Sequence, residues 1–304
     1  MADFAFTILD VFAKTPFKGN PLAVVPDADA LTTAQMQAIA RQFNLSETVF
    51  LMAPENPAHT ARVRIFTPTF EMPFAGHPTV GAAIYLAEER FGRQETRDAI
   101  LVLEENVGPV RCAVTVLPGE ASYAEFDTPK PAAPAGPDPT LAASARALGL
   151  REGDIGFDRH LPSMFSAGAV FAYVPVASVE ALGRAKPAAG FADAAQGAVG
   201  LVAYARLPDN DAFSFQVRMF APEAGVYEDP ATGSAAAGFA GVLDRFESLP
   251  DGRLQRPLAQ GVEMGRRSEI AVELEVDNGA VVGCRIGGHA VRTASGRMVM
   301  PTDF

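Results

Sequence analysis

RIFTP at residues 64–68 has a similar copy in this chain, RMFAP at residues 218–222. A short acidic loop follows each copy and ends in a residue that precedes proline, at His77-Pro78 and at Asp229-Pro230. Small residues come next, and each segment closes on Arg-Phe. Self-similarity of this length is typical of a duplicated unit. The repeat therefore predicts two similar lobes.

The segments after Pro78 and Pro230 are predicted to be helices, because proline suits the first helical position. Both segments are rich in Gly, Ala and Val and have almost no polar face, which predicts burial on all sides. We expect one central helix in each lobe with a sheet curled around it. Asp229 is a good N-cap for the second helix. Each helix start offers unpaired N–H groups that can hold a carboxylate.

Alternating strand-like stretches outnumber helices along the rest of the chain, so we predict an α+β fold with mostly antiparallel sheets. A helix is expected from Thr32 or Thr33 to about Asn44. The last stretch, VRTASGRMVM at 291–300, predicts a hairpin around Ser295-Gly296.

The proline-rich stretch at 129–139 divides the sequence. It is typical of a linker or an extended crossing between lobes, and a long surface loop within one domain is the alternative. We predict a first lobe at residues 1–125 and a second at 126–290, with residues from about 291 to 304 returning to the first.

The composition excludes several classes of function. The net charge of −11, without a Lys/Arg run, argues against nucleic acid as a partner. No apolar run reaches the length of about 20 residues that a membrane span needs. The first residues show no secretory leader, so a cytoplasmic protein is expected. Cys112 and Cys284 lie apart without metal-ligand spacing; no metal site is predicted, and a single disulfide between them stays open.

The chain resembles the phenazine-biosynthesis (PhzF-like) isomerases, which have the diaminopimelate-epimerase fold. The resemblance rests on five stretches that together span most of the chain: FKGNPLAVV at 17–25, NLSETVFL at 44–51, PFAGHPTVG at 73–81, EDPATGSAAAG at 228–238 and QGVEMGRRS at 260–268. It implies an enzyme without cofactor or metal, a homodimer, and one active site per subunit between the lobes. Arg267 stands where the family has proline, which puts the local loop shape in question.

The resemblance also implies the roles of individual residues. Glu47 is the expected base, and His77, Asp229 and Ser234 assist it. A carboxylate beside apolar neighbours, as Glu47 is, can have a raised pKa that suits a general base, although a solvated glutamate at a strand start has the same local sequence. Related racemases exchange protons between two thiols, and the positions of both cysteines in this chain argue against that chemistry.

Four residues are candidates for substrate binding: Asn20, Gly76, Gly233 and Ser234. Asn20 has the alternative role of holding its turn, and Ser234 that of bonding back to its own helix. Arg266 is a further candidate to reach a substrate carboxylate.

The function expected from these residues is isomerisation of a small carboxylated substrate by proton transfer, as in trans-2,3-dihydro-3-hydroxyanthranilate isomerase. Two alternatives stay open. One is another proton-transfer reaction, such as an epimerase or lyase step, and the other is a non-catalytic binding protein with a vestigial cleft.

Overall fold

A computed structural model describes residues 2–300 of the protein. Its internal contacts divide the chain into two compact units, one running to Asp127 and resuming at Gly287, the other covering Thr128–Ile286. The chain is 23% helix and 42% strand, a mixed α/β composition in which strands predominate.

The first unit begins with ten elements in chain order. These are β1 (Ala2–Val11), β2 (Asn20–Val25), α1 (Thr33–Phe43), β3 (Glu47–Met52), β4 (Ala61–Phe66), β5 (Glu71–Met72), α2 (Gly76–Phe91), β6 (Arg97–Glu105), β7 (Gly108–Val116) and β8 (Ser122–Asp127). The predicted helix is confirmed as α1: Thr32 caps it in a capping box with Gln35, and Asn44 ends it in a left-handed conformation.

The remaining elements run from the proline-rich stretch to the end of the described chain. They are β9 (Ala133–Pro134), α3 (Leu141–Leu148), β10 (Ser163–Ser166), β11 (Val170–Pro175), α4 (Val179–Arg184), α5 (Phe191–Ala195), β12 (Gly200–Arg206), β13 (Phe215–Ala221), β14 (Val226–Asp229), α6 (Gly233–Phe246), β15 (Gly252–Gln255), β16 (Leu258–Gln260), β17 (Ser268–Asp277) and β18 (Ala280–Met300).

The predicted hairpin around Ser295-Gly296 is wrong, because β18 runs straight through it. Ser295 and Gly296 pair with Thr7 and Phe6 of β1 in an antiparallel ladder. A Cβ on Gly296 would come within 2.8 Å of the Phe6 ring. The glycine therefore allows close packing of two strands, a use that local sequence cannot distinguish from a turn.

The sheet of the first unit closes into a barrel. Its strands pair in the order β1, β2, β3, β4, β6, β7, β8 and β18, and β18 pairs with β1. Helix α2 packs against β1, β2, β3, β6, β7 and β8, and 12 of its 16 residues are buried. A Cβ on Gly81 would come within 2.5 Å of the Leu22 side chain, so small helix residues permit this close fit.

The second unit repeats this order of pairings. In the first unit, β1–β2 is antiparallel, β2–β3 parallel, β3–β4 antiparallel and β4–β6 parallel. In the second, β10–β11, β11–β12, β12–β13 and β13–β16 follow the same sequence of directions. Helix α6 packs against β9, β10, β11 and β17, and 10 of its 14 residues are buried.

The repeated RIFTP and RMFAP segments make equivalent contacts on β4 and β13. Arg64 forms a bidentate ion pair with Glu71 at 2.8 and 2.6 Å, and Arg218 forms one with Glu228 at 2.9 and 2.8 Å. Each guanidinium also lies over the phenylalanine two residues later, at 5.1 and 4.9 Å from the ring centre. Each pair fixes the acidic loop that leads to the central helix.

Candidate functional site

In the first unit, the fold brings Asn20, Glu47 and His77 together. Asn20 and Glu47 are the first residues of the neighbouring parallel strands β2 and β3, and His77 is the second residue of α2. Nδ1 of His77 lies 3.4 Å from Oε2 of Glu47 and 3.4 Å from Nδ2 of Asn20. Three residues spread over 57 positions of the sequence thus form one polar cluster at the N-terminal end of α2.

His77 is neutral in this cluster. His77 is 3% exposed, and this burial lowers its pKa to about 3. The contact between His77 and Glu47 is therefore not an ion pair. The Asn20 amide nitrogen can donate to Nδ1 of His77, and in the tautomer that accepts this bond the ring proton sits on Nε2. Nε2 is buried without a hydrogen-bond partner among the described residues. An Nε2–H of this kind is a ready donor for a bound ligand.

Helix α2 starts two residues earlier than predicted, at Gly76, with Ala75 as its N-cap. Ala75 offers no side-chain capping bond. Pro78 is therefore inside the first turn, where a missing N–H is tolerated as well as at the first position. The amides of Gly76 and His77 belong to the turn whose N–H groups have no partner within the helix.

The second helix start differs from the prediction in a more consequential way. Helix α6 begins at Gly233 with Thr232 as its N-cap, and Asp229 is the last residue of β14. Asp229 pairs with Met219 of β13, which keeps its backbone extended and excludes it from capping the helix. The N-cap role expected for Asp229 is wrong.

This register changes which residues are equivalent. The first residues of the two helices are Gly76 and Gly233, and the second residues are His77 and Ser234. The two residue-proline pairs that match in sequence therefore occupy different structural positions. Ser234 is only partly buried, unlike His77.

In the second unit, a buried amide organises Asp229. Gln260 donates from Nε2 to the Asp229 carbonyl at 2.8 Å and to Thr232 Oγ1 at 3.0 Å, and its Oε1 accepts from Thr232 N at 3.1 Å. Since Thr232 Oγ1 accepts from Gln260, its own proton goes to Oδ2 of Asp229, 2.6 Å away. This network holds the carboxylate of Asp229 in one orientation.

The loop that follows Gln260 packs around Pro230, which is the residue after Asp229. Gly261 has φ +70°, and a Cβ there would come within 2.7 Å of the carbonyl oxygens of Pro230 and Arg266. Ser268 Oγ donates to the Pro230 carbonyl at 2.7 Å and lies 3.1 Å from the Arg266 carbonyl oxygen. The sequence showed QGVEMGRRS as a motif, but the roles of Gln260 and Thr232 were not predicted from it. Their hydrogen-bond partners are defined only by the fold.

Arg267, the departure from the family pattern, lies with its guanidinium 5.0 Å from the centre of the Phe213 ring. The loop thus accommodates the arginine by a cation–π contact.

Both cysteines are free thiols, so the open possibility of a disulfide is wrong. Cys112 is buried on β7, and Cys284 lies on β18. Burial raises the pKa of both thiols, that of Cys284 to about 12. Neither has the lowered pKa of a reactive cysteine.

The described part of the chain carries neither a metal cluster nor a membrane-spanning helix. Within residues 2–300, no group of three or more His, Cys, Asp and Glu residues is arranged to hold a metal ion. No helix in the same range is long and apolar enough to cross a membrane.

Comparisons with known proteins identify the family of this chain. The family model described as phenazine biosynthesis-like protein, PhzC-PhzF, matches residues 9–296. An uncharacterized isomerase of Mesorhizobium japonicum is 48% identical over 96% of this chain and 98% of its own length. The trans-2,3-dihydro-3-hydroxyanthranilate isomerase of Pseudomonas aeruginosa is 35% identical, with coverage of 96% and 98%.

The solved structure of a PhzF-family protein from Bacillus anthracis shares the fold, with a TM-score of 0.86 and 25% identity over 99% of this chain and all of that one. The family match covers nearly the whole chain, the sheet of the first unit is closed, and the relatives include isomerases. This chain belongs to the phenazine biosynthesis-like PhzF family and is an isomerase.

Proposed function

We propose that this isomerase moves a proton between two carbons of a small carboxylated ring, with trans-2,3-dihydro-3-hydroxyanthranilate as the first candidate substrate. The observation that carries the proposal is the pair formed by Glu47 and the neutral His77 at 3.4 Å. The 35% identity to an isomerase named for this substrate supports its choice.

Glu47 is the proposed base. Its side chain is 16% exposed, so a substrate and solvent can both reach it, while His77 behind it is buried. In its ionised form, Glu47 takes a proton from a substrate carbon, and the electron pair moves into the ring system. The same carboxyl, or a proton exchanged with it from solvent, then protonates the second carbon, so that no cofactor is needed.

The other candidates are proposed to bind and polarise the substrate. His77 donates from Nε2 to a substrate oxygen or nitrogen, and Asp229, held by Thr232, is the third catalytic residue. The first-turn amides at Gly76 and Gly233, with the Ser234 hydroxyl and Asn20, are proposed to hold the carboxylate and its neighbouring groups.

The experiment is turnover of the candidate substrate in deuterated water. We expect product that carries deuterium at the newly protonated carbon, because the Glu47 carboxyl exchanges with solvent. Glu47→Gln should lower kcat by at least about 1,000-fold, since the amide cannot accept the proton. Glu95→Gln is the control, because Glu95 is exposed and its ion-pair partner within residues 2–300 is Arg97, an exposed residue outside the site.

Full activity of Glu47→Gln would reject the assigned base. If the unaltered enzyme does not turn over this compound, the substrate is rejected, and a series of other carboxylated rings is tested by the same label.

We further propose two similar lobes, a homodimeric cytoplasmic enzyme and independence from metals and cofactors. The shared order of strand pairings in the two units supports the lobes, and the family resemblance supports the rest. Light scattering coupled to gel filtration measures the oligomeric state. Turnover after dialysis against a chelator, equal to that before it, supports metal independence.

A further inference from the structure

Glu105, the last residue of β6, is a buried carboxyl group beside the first turn of α2 that the proposed reaction does not use. The residue is 6% exposed, and its Oε1 lies 2.7 Å from Oγ1 of Thr79, which is fully buried. Oγ1 of Thr79 lies in turn 2.8 Å from the carbonyl oxygen of Ala75, the N-cap of α2. Glu105, Thr79 and Ala75 thus form a chain that ends next to Gly76 and His77.

Counting protons along this chain gives the protonation state of Glu105. The Thr79 hydroxyl has one hydrogen, yet both the Ala75 carbonyl and an ionised Glu105 are acceptors only. With Glu105 ionised, one of two short oxygen–oxygen contacts would lack a proton. With Glu105 protonated, both are satisfied, since Glu105 donates to Thr79 and Thr79 donates to Ala75.

The surroundings of the second carboxyl oxygen favour the same state. Oε2 of Glu105 is buried and has no hydrogen-bond partner among the described residues. A charged oxygen left without a partner in the interior is far more costly than a neutral one. Burial accordingly raises the pKa of Glu105 to about 8.

No charged partner offsets this burial. Within residues 2–300, no Lys, Arg or His pairs with Glu105, and the Thr79 hydroxyl is its only side-chain hydrogen-bond partner. Glu105 interacts electrostatically with the Cys112 thiol on β7, and a negative charge on Glu105 helps to raise the pKa of that thiol. His77, on α2, is neutral and adds no positive charge.

We propose that Glu105 is a positioning residue that works as a neutral carboxylic acid: it donates to Thr79 and, through Thr79, fixes the first turn of α2. The part of this proposal that concerns catalysis rests on the proposed function, because Gly76 and His77 lie on that turn. Ionisation of Glu105 removes the donor and leaves two acceptors facing one hydroxyl. The turn then loosens, and turnover falls as pH rises.

Three variants test the proposal. Glu105→Gln keeps a donor of the same shape, Glu105→Leu removes it, and Thr79→Val removes the hydroxyl between donor and carbonyl. We expect Glu105→Gln to keep kcat within about threefold of the unaltered enzyme. Glu105→Leu and Thr79→Val should lower kcat about tenfold or more, the loss typical of a missing buried hydrogen bond. The unaltered enzyme should lose kcat as pH rises past about 8, and the Gln variant should not. A residue that merely fills space would not remove an alkaline pH limit.

Two measurements need no turnover and keep this test separate from that of the proposed function. Infrared difference spectra should show a protonated carboxylic acid at neutral pH that is missing in Glu105→Gln. The backbone amide of residue 79 donates to the Ala75 carbonyl at 3.2 Å, and its hydrogen exchange should be faster in the Glu105→Leu and Thr79→Val variants than in Glu105→Gln. Absence of the neutral acid signal, or equal exchange and kcat in Leu and Gln, would overturn the proposal even if Glu47 proves to be the base.

Discussion

Oε2 of Glu47 lies 3.4 Å from Nδ1 of His77, and the histidine ring is neutral. Burial, rather than the carboxyl group, decides the protonation state of His77, because burial lowers its pKa to about 3 whereas a nearby negative charge would raise it. The contact therefore joins a carboxyl group to an uncharged ring. This pairing suits proton transfer better than a fixed ion pair would.

The first prediction concerns the titration of His77. Burial lowers the pKa of His77 in the folded protein from its ordinary value of 6.5 to about 3, so only the unfolded chain takes up this proton as pH falls between these two values. The stabilising contribution is complete above pH 6.5 and is lost on acidification, by at most about 1.4 kcal/mol per pH unit. Denaturant unfolding at several pH values should show a shallower slope in His77→Gln. Ring NMR signals of His77 that titrate near pH 6.5 would contradict the assignment.

The second prediction concerns Thr232, which donates to Asp229 at 2.6 Å. Thr232→Val removes the hydrogen bond that holds the Asp229 carboxylate in one orientation. We expect kcat to fall about tenfold, the loss typical of a missing hydrogen bond to a charged group. Thr232→Ser keeps the hydroxyl and serves as the control. Equal kcat values for Thr232→Val and Thr232→Ser would show that the hydroxyl does not act on Asp229.

The third prediction compares two glycines of one loop, both with φ +70°. Gly261→Ala places a Cβ within 2.7 Å of two backbone oxygens, whereas Gly265→Ala meets nothing within 4 Å. Strain at positive φ alone costs about 1–2 kcal/mol, so this is the expected loss at Gly265. Gly261→Ala should lose about 3 kcal/mol or more, as backbone contacts must shift. Urea unfolding measures both, and equal losses would mean that the loop yields freely around Pro230.

The fourth prediction uses the duplicated ion pairs. Arg218 and Glu228 are each 8% exposed, and Arg218 Nη1 also donates to the carbonyls of Leu182, Gly183 and Ala185. Arg218→Met should cost about 3–5 kcal/mol, because it leaves a buried carboxylate unpaired. Arg64→Met breaks a more exposed pair and should cost about 1 kcal/mol.

A double variant tests the reason for that difference. Arg218→Met with Glu228→Met removes both charges and should recover part of the stability in thermal unfolding. If the double variant is no more stable than Arg218→Met alone, the unpaired charge is not the cause.

The fifth prediction concerns the two thiols. Burial raises the pKa of Cys112 and Cys284, so neither should react with a thiol-specific disulfide reagent in the folded protein. Both should react after unfolding in denaturant. If brief treatment of the folded enzyme with the reagent abolishes turnover, a thiol takes part in the reaction and the prediction is wrong.

Local sequence predicted most elements that rest on local physics. Thr32 and Asn44 bound α1 because capping and left-handed termination depend on a few neighbouring residues. The duplication was visible in RIFTP and RMFAP, and the paired arginines occupy equivalent places on β4 and β13. Helix starts next to proline were less well predicted, since proline is tolerated throughout the first turn.

The family, the repeat and the residue types at the candidate site could all be predicted from the sequence, because they follow from motifs whose members are close together in the chain. The contacts between those residues could not be predicted, since they depend on the folded structure. It set Asp229 at a strand end instead of a helix cap, joined Gln260 to Thr232 across 28 positions, and left His77 and Glu105 uncharged. Hydrogen-bond partners and burial are long-range properties, and protonation follows from burial.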